Sequence, residues 1–133
     1  VARLRDSGTI INVVFVGGEI DDMKLPETIR SFSLDAQCWL FGPCYDDNTI
    51  GELFYNAHAC VSPGNVGLTA IHSLTFGCPV ITHGNLPNQM PEFEAIKPGI
   101  TGDFFEENRP SKNHLEMDRS YSGTAQPNST KRF

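Results

Sequence analysis

The groups in this 133-residue chain most able to do chemistry sit in one stretch. It runs Ser62-Pro63-Gly64-Asn65-Val66-Gly67-Leu68-Thr69-Ala70-Ile71-His72-Ser73-Leu74-Thr75-Phe76-Gly77-Cys78-Pro79-Val80-Ile81. It reads as strand end, glycine-bearing loop, helix, tight turn and strand. That order puts a helix N-terminus and several free backbone N–H groups, those of Asn65, Val66, Gly67 and Leu68, at the carboxyl edge of a sheet. Such a corner suits an anion, most often a phosphate or diphosphate, because N–H groups and the helix dipole converge on it. The plainer reading is a strand-to-helix turn in which glycine serves conformation alone.

Two histidines lie close by in sequence. His72 falls one turn into the helix among Leu68, Ile71 and Phe76. It is either a ring that hydrogen-bonds a ligand hydroxyl or a half-buried structural residue. His83 follows the fourth strand beside Gly84-Asn85, where it is either a cleft residue or a solvent-exposed loop histidine. His58 and His114 have no supporting context. Among the carboxylates, Glu19, Asp21 and Asp22 form an acidic loop after the first strand. Paired carboxylates can do acid–base work, but a solvated loop is the simpler account. Glu92 and Glu94 follow Pro91 as first-turn carboxylates, and Asp46-Asp47 reads as a helix cap.

The elements that must position these groups alternate. A short helix over Ala2 to Ser7 stops at Gly8. Ile10 to Val16 is a β-branched run ending at Gly17-Gly18, which predicts a buried strand. Pro26 to Phe32 is a short helix and Gln37 to Phe41 a strand closed by Gly42-Pro43. A helix capped by Asp46 or Asp47 runs to Asn56. Ala59-Cys60-Val61, a helix over Leu68 to Phe76, and Pro79 to Thr82 come next. Pro91 to Ile96 is a turn or two of helix, and Gly102 to Phe105 an edge strand. Strands and helices alternating at this spacing predict an α/β fold, a Rossmann-like parallel sheet with helices on both faces. Ligands in such sheets bind outside the carboxyl ends of the strands, where the Gly17-Gly18, Gly42-Pro43 and Gly64–Gly67 corners all fall.

Length and composition allow one core. The reading is one lobe over 1–108 and a disordered or loosely attached tail over 109–133, rich in Ser, Thr, Asn and Pro. The sequence begins at Val1 without an initiator Met or signal-peptide pattern, as expected of a segment from inside a longer, cytoplasmic protein. Residues 1–108 carry five Lys or Arg against fourteen Asp or Glu, a net of −9; the tail carries five against two, a net of +3. An acidic body argues against nucleic acid as partner. Cys38, Cys44, Cys60 and Cys78 form no CxxC pair and read as buried free thiols, with spacings unsuited to zinc. Asn128-Ser129-Thr130 matches a glycosylation pattern by chance composition.

Gly67-Leu68-x-x-x-His72-x-x-x-x-Gly77-x-Pro79-Val80-Ile81 resembles the signature of retaining GT-B glycosyltransferases of the family 4 kind, in their C-terminal nucleotide-sugar-binding lobe. The strand endings at Val16-Gly17-Gly18 and Leu40-Phe41-Gly42, the strand into Ser62-Pro63, and Pro91-Glu92 with Gly99-x-x-Gly102 are similar in layout. The resemblance covers about residues 8–107. It departs at two positions. The signature's first Glu, which contacts the donor sugar, falls on Gly64. Its second, which contacts the ribose hydroxyls, falls on His72. The basic pair that holds the diphosphate, and the acceptor-binding lobe, belong to segments outside this sequence.

The resemblance implies transfer of a sugar from a nucleoside diphosphate donor to an acceptor hydroxyl with retention, in surface polysaccharide or glycan synthesis. It implies no metal or other cofactor. The donor site would comprise Gly64 to Leu68, His72, Gly17 and Gly18, with Phe41 and Gly42 at the base and His83 and Glu92 near the cleft. The acceptor, a sugar or lipid-linked sugar, would meet the other lobe, and the parent protein is open to peripheral attachment at the inner membrane face. Two alternatives stand beside it. One is a non-catalytic nucleotide-binding or regulatory module that has lost both glutamates. The other is a flavodoxin-like or response-regulator-like domain, for which Asp21-Asp22 and Asp46-Asp47 are poorly placed.

Overall fold

The computed structural model describes residues 1–18 and 24–106. The expected acidic loop of Glu19, Asp21 and Asp22 lies outside the described residues, as do His114, Asn128 and the whole 109–133 tail. The chain divides into two compact units, Val1–Ile50 and Gly51–Phe133.

The first unit holds α1 (Ala2–Asp6), β1 (Val13–Val16), α2 (Leu25–Ser31) and β2 (Cys38–Gly42), and α3 (Asp47–Asn56) starts at its end. β1 and β2 run parallel in the register Val13↔Cys38, Val14↔Trp39, Phe15↔Leu40. Pro26 occupies the first turn of α2, where its missing N–H costs nothing. Arg5 fixes α1 against the end of α2 by donating to the Phe32 and Ser33 carbonyls at 2.8 and 2.9 Å. Asp46 caps α3, its carboxylate accepting from the Thr49 N–H and hydroxyl at 2.8 and 2.7 Å.

β1 corrects the expectation of a long buried strand. Ladder pairing starts only at Val13, and burial alternates along it, with Val14 and Val16 exposed at 40% and 49%. Trp39, the register partner of Val14, is 55% exposed on the same face. The apolar run supplied β propensity, but only one face of this two-stranded ladder is covered.

The second unit holds β3 (Cys60–Ser62), α4 (Leu68–Thr75), β4 (Val80–His83), 3₁₀ turns over Leu86–Asn88 and Pro91–Ala95, and β5 (Gly102–Phe105). Its sheet is parallel throughout, ordered β3-β4-β5, and all four residues of central β4 are buried. Val66, Ala70, Val80 and Ile96 form the core, packed by Cys60, Leu74, Phe93 and Phe104. Burying each large aliphatic side chain contributes about 1.5–3 kcal/mol. Gly77, at φ +70, ends α4 in the left-handed conformation that glycine adopts most readily. Gly102 is required for another reason: a Cβ there would run into the Val80 carbonyl oxygen and come within 2.9 Å of Ile96 Cγ2.

Candidate functional site at the carboxyl end of the central strand

β3 ends at Ser62, and the chain then crosses from Pro63 to Gly67 to enter α4. Val66, fully buried, anchors this loop in the core. Neither Gly64 nor Gly67 has the left-handed backbone that demands glycine; Gly67 sits at φ −106. A Cβ at Gly64 would meet nothing within 4 Å, and one at Gly67 would only touch Met90 Cγ at 3.9 Å. Conformation alone therefore does not explain Gly64.

A polar network from the end of β4 and the segment after it holds the loop. Thr82 is fully buried and its hydroxyl donates to the Gly64 carbonyl at 3.2 Å. The Gln89 amide nitrogen donates to Thr82 Oγ1 at 3.0 Å and to the His83 carbonyl at 2.9 Å, while its oxygen accepts the Val66 N–H at 2.7 Å. His83, 1% exposed, stacks edge-on to Phe105 and completes the set. Its Nδ1 accepts the Asn85 N–H at 3.2 Å, so in the neutral ring the proton is on Nε2. Nε2, 3.2 Å from Asn65 Oδ1, then donates to it, which turns the Asn65 amide nitrogen away from His83.

The expected site residues in this unit divide. Gly64, Asn65, Val66 and His83 are joined in one network, with Gly67 and Leu68 following at the start of α4. His83 is not the exposed loop residue that one of its two readings made it: β4 runs one residue further than expected and carries it inside. His72 is exposed on α4 rather than half-buried, and no hydrogen bond joins it to the loop. Glu92, in the second 3₁₀ turn, is half-buried, with Oε2 out of solvent and without a hydrogen-bond partner among the described residues. The Val66 N–H is spent on Gln89. The N–H groups of Asn65, Gly67, Leu68 and Thr69 meet no acceptor among the described residues, as the opening of a helix requires.

In the first unit the two expected corners meet each other. The Gly17 N–H donates to the Gly42 carbonyl at 2.9 Å where β1 and β2 end, and Gly42 is left-handed at φ +84. Gly18 is exposed beside them, and Phe41 is half-buried with its neighbour Trp39 edge-on at 5.2 Å.

The sequence does not single out Thr82 or Gln89. Thr82 reads as an ordinary strand residue. Gln89 lies 23 residues from the Val66 N–H it accepts, behind a turn whose path the sequence does not reveal. The only local signal is Asn85-Leu86-Pro87-Asn88-Gln89, a polar, proline-bearing turn directly after a buried strand. Cys60, packed against the core, has its thiol pushed from 9.0 to about 11, chiefly by burial and then by neighbouring Cys78. No three His, Cys, Asp or Glu side chains converge as a metal site among the described residues, and no described helix is long and apolar enough to cross a membrane.

With this geometry in place, one solved structure is informative. The crystal structure of Anabaena HepE in complex with UDP resembles this chain with TM-score 0.57 and 18% identity, over 74% of this chain and 28% of that one. The likeness shows the fold, an α/β Rossmann-like lobe, and the chain spans less than a third of that neighbour's length. No protein-family model and no curated protein matches the chain.

Proposed function

We propose that this chain is the donor-binding lobe of a nucleotide-sugar-dependent glycosyltransferase, and that the Gly64–Leu68 corner takes the diphosphate. One observation carries the reading. The loop is pinned to the end of central β4 by Thr82, Gln89 and His83, yet among the described residues the N–H groups of Gly67, Leu68 and Thr69 meet no acceptor at the start of α4. A rigid loop with aligned free donors is what a leaving diphosphate needs. Charge that develops on its oxygens as the glycosidic bond breaks meets donors already in place and the positive end of the helix dipole. The UDP in the structurally similar HepE and the signature resemblance support a nucleoside diphosphate over a simple phosphate.

Transfer with retention to an acceptor hydroxyl belongs, in this proposal, to a longer parent protein on the cytoplasmic side, acting in glycan synthesis without a metal. The chain alone binds donor and does not transfer. A second reading rests on a specific observation. Gly64 has no side chain, and exposed His72 stands where the signature has its second Glu. A binding or regulatory module without catalysis would tolerate both.

Calorimetric titration of the 133-residue chain with UDP, GDP, ADP and CMP tests the donor site. Selective binding of one diphosphate supports it, and equal indifference to all four removes it. Sugar transfer by the chain alone would refute the claim that catalysis needs the parent. Restoring Glu at 64 and 72 within the parent separates the two readings: recovered transfer would favour the regulatory one.

A further inference from the structure

We infer that Gln89 is the positioning residue of the donor loop: its single carboxamide sets the loop's backbone, and the Val66 N–H remains on Gln89 rather than turning to ligand. This rests on the donor-site reading of Gly64–Leu68.

The argument is one of donors and acceptors. A glutamine side chain offers two N–H donors and one carbonyl oxygen. Both donors are used, on Thr82 Oγ1 at 3.0 Å and the His83 carbonyl at 2.9 Å, and the oxygen accepts from Val66 at 2.7 Å. The partners come from two segments, the loop and the strand end, and Gln89 sits outside both. The bond to Thr82 also orients a relay. With Oγ1 accepting from Gln89, its own proton is committed to the Gly64 carbonyl at 3.2 Å. Gln89 thus fixes the loop at Val66 directly and at Gly64 through Thr82. Glutamate has the oxygen but no donors, and methionine has the length but neither. Fully satisfied networks of this kind hold one geometry, because any alternative leaves buried polar groups unpaired. Holding Gly64 and Val66 leaves the next peptide N–H groups, of Gly67 and Leu68, as the ones free to meet a ligand.

The test compares the full chain with Gln89→Met and Gln89→Glu, reading amide hydrogen exchange at Val66 and at Val80, together with UDP affinity. Val80 donates to the Thr101 carbonyl at 3.0 Å and reports on the core. In Gln89→Met, Val66 exchange should rise by roughly tenfold or more with Val80 unchanged, and UDP should bind about tenfold more weakly. In Gln89→Glu the carboxylate has no proton for Thr82 Oγ1 or the His83 carbonyl, so Val66 exchange should rise there too with Val80 unchanged, and full protection of Val66 would show that the two donors are dispensable. Unchanged Val66 exchange in Gln89→Met overturns the proposal. So does equal loss at Val66 and Val80, which would make the role structural only, or unaltered UDP affinity with Val66 released. If the unsubstituted chain binds no UDP, the donor-site reading fails, and the contrast between Val66 and Val80 still decides whether Gln89 sets the loop.

Discussion

His83 Nε2 and Asn65 Oδ1 are joined at 3.2 Å across 18 residues of sequence, a buried ring at the end of β4 holding an exposed amide in the loop before α4. Because Nδ1 already accepts the Asn85 N–H, the ring donates through Nε2, and Asn65 is held with its oxygen inward and its two N–H donors outward. The amide therefore adds donors, not acceptors, to the rim of the candidate anion site.

Asn65→Asp follows from this. The carboxylate still accepts from His83 Nε2, so the network survives, but it sets a negative charge beside the diphosphate corner. Like charges at about 4 Å cost ~1 kcal/mol in water and ~4 kcal/mol at a partly screened protein surface. UDP affinity measured by calorimetry should fall about fivefold or more, and the deficit should shrink as salt is raised. Undiminished affinity at low salt would separate Asn65 from the ligand.

Gly64→Glu tests whether the position can bear the side chain that the resembling signature carries. Open space surrounds the missing Cβ and the backbone is not left-handed. Unfolding in urea should therefore change by no more than about 0.5 kcal/mol, the range of ordinary surface substitutions. A large loss would mean that glycine is required at 64 by the fold.

Gly102→Ala should behave in the opposite way. Its Cβ would collide with the Val80 carbonyl oxygen in the neighbouring central strand, and backbone cannot move aside as a flexible side chain can. Overpacking of this kind costs about 1–3 kcal/mol or more, so the urea midpoint should drop sharply. Stability equal to that of the unsubstituted chain would contradict the β4–β5 register.

Cys60 should resist alkylation in the native protein at pH 8 and react once the chain is unfolded. Its thiol is raised from 9.0 to about 11 by burial, so the folded state favours the protonated form more than the unfolded state does. The resulting stability, on the order of 3 kcal/mol, is fully present below pH 9 and is lost as pH rises towards 11. Urea midpoints compared at pH 8 and pH 11, with Cys60→Ser as reference, would read it. A midpoint that fell no further at pH 11 than that of Cys60→Ser would contradict the assignment.

Much of the framework was legible in the chain. Glycines mark the ends of α1 and α4, Pro26 opens α2, Asp46 caps α3, and the β-branched runs give the strands to within one to three residues at most ends. These signals are local: a cap, a forced φ, a period. What escaped was set by partners distant in sequence. The face of β1 left open, the burial of His83 and the reach of Gln89 back to Val66 all depend on which elements pack together, and no spacing rule encodes that. The candidate site was thus legible as a loop and illegible as a network. Its glycines could be read from the sequence, whereas the Thr82 and Gln89 side chains that hold them could not.

The most direct test of the donor-site account is an amide-resolved NMR titration of the full chain with UDP, with His72→Ala as the comparison. The account predicts saturable shifts at Asn65, Gly67 and Leu68, with the Val66 amide still protected, and weaker binding in His72→Ala. A well-dispersed spectrum in which those amides do not move would contradict it.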